Sequence, residues 1–196
     1  MSKMGGPARL VGVLALQGAF AAHQRALATA GATTRQVRQP ADLAGLDALV
    51  MPGGESTTMS RLLTTSGLYD EIKPLLSDGL PVFGTCAGMI LLAAEVLDGR
   101  PDQRNFGAID ISVQRNGYGR QIDSFEADID VHEFDHPFHA VFIRAPKVVA
   151  VGPNVEVLAE HDGVPVGARQ GHVMVASFHP ELTADARLHA RFLQEV

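Results

Sequence analysis

Leu80-Pro81-Val82-Phe83-Gly84-Thr85-Cys86-Ala87-Gly88-Met89 decides how the chain is built, because it joins an apolar run to a helical one across a turn that carries a cysteine. Pro81-Val82-Phe83 predicts a buried strand, and Met89-Ile90-Leu91-Leu92-Ala93-Ala94 predicts a helix. Gly84 to Gly88 is then a sharp strand-to-helix elbow with sulfur at its tip. Flanking glycines relieve crowding around a strained central residue, and the free amides that open the helix favour a thiolate. A free cysteine more often packs as a small buried hydrophobe. The elbow is what gives Cys86, the only cysteine of the chain, a chemical reading.

Outward from the elbow, strands and helices alternate. Leu10 to Leu16 is nearly all apolar, as expected of a central strand covered on both faces. Phe20 to Ala30 has helical composition with Gly31 as its stop, Val37 sits in a second, shorter strand, and Asp47 to Met51 is a third. That third strand ends at Pro52-Gly53-Gly54-Glu55-Ser56, where Ser56 or Thr57 is placed to cap a helix over Thr58 to Thr65. Tyr69 to Ser77 reads as another helix. The pattern is that of an α/β protein with a doubly wound, mostly parallel sheet and helices on both faces, whose ligands bind beyond the carboxyl ends of the strands.

After Asp98 the texture changes to a polar loop followed by alternating strands. Ile109, Ile111 and Val113 alternate with polar partners, as do Phe125, Ala127, Ile129 and Val131 beyond a turn at Asn116-Gly117-Tyr118-Gly119. Val155 to Val157, Val164 to Val166 and Val173 to Val175 add short candidates, so the C-terminal half supplies additional antiparallel strands. Ala184 to Gln194 closes as a helix. The expected layout is a loose leader over residues 1–8 and a single domain over 9–196.

With 196 residues and 46% hydrophobic content the chain can bury one sizeable core. Its net charge of -6 offers no basic excess for phosphates, which argues against nucleic acid. One cysteine cannot form an internal disulfide and suits a reducing compartment. The start lacks a signal-peptide layout, and no apolar run approaches the roughly 18 residues of a membrane helix, so a cytoplasmic protein is expected.

Near the end stands Ser177-Phe178-His179-Pro180-Glu181-Leu182. In an extended segment, residues i and i+2 share a side, so Glu181 can orient the His179 imidazole toward a partner. Cys86, His179 and Glu181 then fill the roles of nucleophile, general acid/base and orienting carboxylate. Gly53 or Gly54 can point an amide into the site and, with the amide of Ala87, stabilise the oxyanion formed when sulfur attacks an amide carbonyl. The glycine loop lacks the GK[ST] ending of a phosphate loop. His132, His136 and His139 read as solvated loop residues, and no metal site is expected.

Together FGTCAGM, PGGES and FHPE resemble the class I, triad-type glutamine amidotransferases. The strings Ala15-Leu16-Gln17-Gly18-Ala19-Phe20, PGGESTTMSRL from Pro52, RNGYGRQIDSFEADI from Arg115 and VFIRAP from Val141 are similar to the glutaminase subunits of pyridoxal 5'-phosphate synthases. The resemblance runs from about Val11 to Phe192. It implies hydrolysis of L-glutamine to L-glutamate and ammonia through a cysteinyl thioester, with ammonia passed to a separate synthase subunit in a large heteromeric complex, and no cofactor in this subunit. It also implies glutamine binding by Gly54, Glu55 and Ser56, by Arg115, and by Ile143 with Arg144, and an activating role for Gln17 beside the oxyanion loop. Gly117 and Tyr118 depart from the Ser and Phe that the family often carries. Two alternatives stand: the glutaminase of another pathway, such as imidazole-glycerol-phosphate formation, and a catalytically silent docking subunit.

Overall fold

The computed structural model describes residues 8–115 and 124–196; residues 1–7 of the expected leader and the turn expected at Asn116 to Gly119 lie outside the described residues. The strands are β1 (Leu10–Leu14), β2 (Thr33–Val37), β3 (Ala48–Met51), β4 (Val82–Thr85), β5 (Ala93–Val96), β6 (Ile109–Gln114), β7 (Ser124–Ile129), β8 (Phe138–Ile143), β9 (Lys147–Val151), β10 (Glu156–His161), β11 (Val164–Gln170) and β12 (Val173–Ala176). The helices are α1 (Phe20–Thr29), α2 (Ser56–Thr65), α3 (Leu68–Ser77), α4 (Ala87–Leu92) and α5 (Arg187–Leu193).

Seven strands form the main sheet in the order β10-β11-β12-β4-β3-β1-β2. From β12 to β2 every pairing is parallel, while β10 and β11 add antiparallel strands at one edge. The doubly wound α/β reading is therefore correct. Both faces of the sheet are apolar: Leu49, Met51, Val173 and Val175 face a core shared with α2, α3 and α4. Ala48, Val50, Met174 and Ala176 face the other core, with α1 and α5. Alternation within strands covered on both sides is why they read as unbroken apolar runs. Strand β1 is interior but only one place from the edge, not central.

Two small sheets flank this body, β5-β6-β9 and the β7-β8 hairpin. Here the structure corrects the sequence reading. Ala93 and Ala94 leave the helix and enter β5, which pairs in parallel with β6 through Ala93 and Ile109. Helix propensity favours alanine in α4, but tertiary pairing prevails. The closing helix is shorter than expected, starting at Arg187. Among the described residues no helix is long and apolar enough to cross a membrane.

Candidate active site

Four neighbouring parallel strands, β12, β4, β3 and β1, end at one edge of the sheet. Each sends one part of the site beyond its carboxyl end: His179 after β12, Cys86 after β4, Gly53 after β3 and Gln17 after β1. Thr85 pairs with Ala176, and the next amide, Cys86 N–H, donates to the Ala176 carbonyl at 2.8 Å. The register of one strand pair thus fixes the two arms of the site against each other.

Cys86 has φ 48 and ψ -105, a backbone conformation that L residues rarely adopt, and it directly precedes α4. Strain of this kind persists only where the surroundings enforce it. They do so through close approach: a Cβ on Gly88 would overlap the Met51 carbonyl oxygen, and one on Gly84 would lie 2.7 Å from the Gly88 backbone. The glycines therefore let strand and helix touch. Ala87 is the first residue of α4, so its amide belongs to the turn whose N–H groups have no partner within the helix.

Gly53 lies between the catalytic candidates. A Cβ there would overlap Cε1 of His179 and stand 3.3 Å from the Cys86 Cβ. His179 Nδ1 bonds Glu181 Oε1 at 2.8 Å, which leaves Nε2 for the sulfur. Proximity of the two arises differently from the sequence expectation: Glu181 sits in a short 3-10 turn over Pro180–Leu182, not in an extended segment. Burial works to lower the His179 titration, but the Cys86 sulfur and the Glu181 carboxylate outweigh it and raise it to about 10. Burial likewise opposes ionisation of Glu181, and the hydrogen bond from His179 with the nearby imidazoles prevails, so its titration is lowered.

In front of Cys86 opens a cleft of about 380 Å³ lined by Gly54, Glu55, Ser56, Cys86, Ile90, Arg115 and Arg144. The Ile143 carbonyl stands 3.8 Å from Cys86 Sγ. All the residues singled out from the sequence thus converge on one place. Glu55, not Ser56 or Thr57, caps α2, accepting from Thr57 N at 3.0 Å and Thr58 N at 2.7 Å. Partial burial would raise its carboxyl, yet the hydrogen bonds from Thr58 and Thr57 bring it down to about 2. Arg115 donates to the same carboxylate at 3.2 Å, and Gln17 Oε1 accepts from Glu55 N at 3.2 Å. Arg144 has φ 45, a second strained non-glycine residue at the mouth.

Residues 13–196 match the family described as SNO glutamine amidotransferase. The chain belongs to that family. Among curated members it is 55% identical over 187 residues to the pyridoxal 5'-phosphate synthase subunit PdxT of Mycobacteroides abscessus, covering 95% of this chain and 97% of the relative. It is 53% identical over 188 residues to the PdxT subunit of Corynebacterium jeikeium, covering 95% and 96%. A crystal structure of a glutamine amidotransferase superposes with a TM-score of 0.89 at 49% identity, covering 94% of this chain and 97% of the other.

Behind Cys86, His179 and Glu181 lie residues that the sequence reading passed over. His23 of α1 places Nε2 3.3 Å from Glu181 Oε2 and 3.1 Å from Thr85 Oγ1, and its Nδ1 is 2.9 Å from His189 Nε2 of α5. Their sequence signal was a histidine inside an apolar stripe, beside Leu27 in α1 and Phe192 in α5, with 166 positions between the two. By contrast, His139 is no part of the site. It lies on strand β8 rather than in a loop, exposed between Asp128 at 2.9 Å and Glu126 at 3.0 Å.

Proposed function

We propose that this chain is the glutamine-hydrolysing subunit of a pyridoxal 5'-phosphate synthase, with Cys86, His179 and Glu181 as its triad. The observation that carries the reading is the strained Cys86 elbow, set against Gly53 and the His179–Glu181 pair at the floor of a cleft edged by Glu55, Arg115 and Arg144. His179, its titration raised to about 10, already holds the proton, and Cys86 Sγ, as the thiolate paired with that imidazolium, attacks the side-chain amide carbon of glutamine. The oxyanion is held by the amides of Ala87 and of Gly53 or Gly54. His179 then gives the proton to the departing nitrogen, which leaves as ammonia, and a thioester remains. Water, deprotonated by the same imidazole, attacks the thioester and releases glutamate and the thiolate.

The two ends of the substrate have matching chemistry in the cleft. Arg115 and Arg144 suit its α-carboxylate, and the Glu55 carboxylate suits its ammonium group. The names of the relatives support pyridoxal 5'-phosphate synthase over other amidotransferase pathways, and a synthase subunit in a large heteromeric complex is the proposed acceptor of ammonia. A single free thiol at the site fits a reducing, cytoplasmic setting. Ammonia release from L-glutamine, measured with the synthase subunit present, tests the proposal. Release that depends on both Cys86 and the synthase is expected; hydrolysis that ignores the synthase, or none with it, refutes the assignment.

A further inference from the structure

The triad does not end at Glu181. One carboxylate oxygen, Oε1, is committed to His179 at 2.8 Å, while Oε2 is buried, makes no hydrogen bond among the described residues and has His23 Nε2 facing it at 3.3 Å, with both side chains fully shielded from solvent. A buried carboxylate oxygen left alone is costly, so what stands opposite Oε2 decides whether the carboxylate stays in place. His23 also contacts Thr85 Oγ1 at 3.1 Å and His189 Nε2 at 2.9 Å. The Phe83 ring meets both imidazoles edge to face, at 6.4 Å from His23 and 5.8 Å from His189, and closes the pair off on the apolar side.

The tautomers of this chain follow from the carboxylate. Ionised Glu181 only accepts, so a proton on His23 Nε2 is attractive there and a lone pair would be repelled. With the proton on Nε2, His23 Nδ1 is an acceptor, and His189 must offer its Nε2–H to it. That leaves His189 Nδ1 as a bare lone pair, and this atom is buried without a hydrogen-bond partner. The opposite tautomers would bury an N–H with no acceptor at the same place and set two lone pairs at Glu181. The His189 Nε2–H is thus given to His23 Nδ1, and the His23 Nε2–H bonds Thr85 Oγ1 while presenting its positive end to Glu181 Oε2 at 3.3 Å. Burial keeps the two rings neutral, lowering His23 to about 4 and His189 to about 3. A neutral His23 places the positive end of an N–H dipole near Oε2 without a second cation to compete with His179.

We propose that His23, fixed in its Nε2–H form by His189 and Thr85, is a positioning residue of the reaction, holding Glu181 so that its other oxygen stays on His179. This rests on the Cys86-His179-Glu181 reading above. It joins α1 and α5, at opposite ends of the chain, to the nucleophile elbow through side chains that never meet glutamine.

Two near-isosteric substitutions separate the contacts of His23. The amide of His23→Gln reaches the Nε2 position and keeps a donor toward Glu181, whereas His23→Asn reaches only the Nδ1 position and keeps the contact to His189. With the synthase subunit present, His23→Asn should lose roughly ten- to a hundredfold in kcat, the cost of leaving a buried charged acceptor with no dipole facing it, with KM within about twofold. His23→Gln should stay within about threefold of the parent in kcat. The pH dependence of iodoacetamide labelling, clean because Cys86 is the only cysteine, gives a readout independent of turnover. Its acid limb should move up by about one pH unit in His23→Asn and stay in place in His23→Gln. Equal kcat and equal labelling profiles in the two variants overturn the proposal. If His23→Asn fails to fold by circular dichroism, His189→Phe takes its place; an upward shift of its labelling limb supports the proposal and an unmoved limb overturns it. A Cys86→Ala control that still releases ammonia would instead sink the triad reading itself.

Discussion

At the scale of single residues, the proposed mechanism assigns one group to bond substrate and others to move or hold a proton. Cys86→Ala should abolish ammonia release while leaving the circular dichroism spectrum and synthase binding unchanged, since its side chain occupies little of the core; residual activity in that variant would remove sulfur from the mechanism. His179→Asn should be more damaging than Glu181→Gln, because the imidazole transfers the proton and the carboxylate only orients it. Kinetics at matched stability read the order, and the reverse order would give Glu181 a second task. The buried imidazoles also predict how stability depends on pH. His23 and His189 titrate below their ordinary 6.5, at about 4 and about 3, so the unfolded chain binds more protons than the folded one in that interval. Their contribution is complete above pH 6.5 and is lost as pH falls toward 4 and below. His179 does the opposite: raised to about 10, it contributes fully below 6.5 and loses that contribution as pH climbs to 10. Thermal melts of the parent should decline on both sides, and His179→Asn should flatten the alkaline side alone. Cysteine, histidine and glutamate were legible because each stands in a short motif at a strand end. His23 and His189 were not, because each looks like one polar residue in an apolar helix face until the fold brings the two within 2.9 Å.

At the scale of elements, the elbow and the glycine loop are one construction, since Gly53 fits between the ring of His179 and Cys86. Gly53→Ala should lower kcat by roughly a hundredfold, the penalty for a displacement of about 1 Å among reacting groups. It should also reduce stability by about 1 to 3 kcal/mol through overpacking, as read by thermal melting. A near-normal kcat would mean that the loop yields freely and does not hold the oxyanion amides. The loop was readable from PGGES, but its cap is Glu55, one residue before Ser56 and two before Thr57, the caps expected. Serine and threonine are common caps, whereas here the longer Glu55 carboxylate reaches both the Thr57 and Thr58 amides. Strands β8 and β9 escaped the strand-by-strand reading for a different reason. Phe138–Ile143 belongs to a two-stranded sheet with β7, and Lys147–Val151 lies at the edge of a three-stranded one, so their pairing partners are set by tertiary structure. Strands β1, β3 and β4 were legible because burial on both faces leaves an unbroken apolar signature, whereas β12, expected among the antiparallel strands, pairs in parallel with β4, and edge strand β2 is largely polar.

At the scale of the whole molecule, the site is assembled from four strand ends, and one of them reaches outward from the chemistry. Gln17 accepts from the Glu55 amide at 3.2 Å, and a Cβ on neighbouring Gly18 would overlap the Gly53 carbonyl oxygen, so the segment after β1 lies directly against the Gly53–Gly54 loop. A partner that docks on this segment has mechanical access to the amides of Gly53 and Gly54 without entering the cleft. Free ammonia made without its acceptor would waste glutamine, and a loop controlled from outside would prevent that loss. The expectation is a subunit that hydrolyses glutamine poorly alone and well when the synthase is bound. If docking changes the population of competent oxyanion holes rather than the affinity of the cleft, kcat should rise by roughly tenfold or more while KM changes little. Steady-state kinetics with and without the synthase decide this, and equal turnover in both states would refute gating. Gln17→Ala should retain the fold and synthase binding yet lose most of the stimulation. Normal stimulation in that variant would leave gating possible but would move it to another strand end, because the hydrogen bond to Glu55 would then carry no signal.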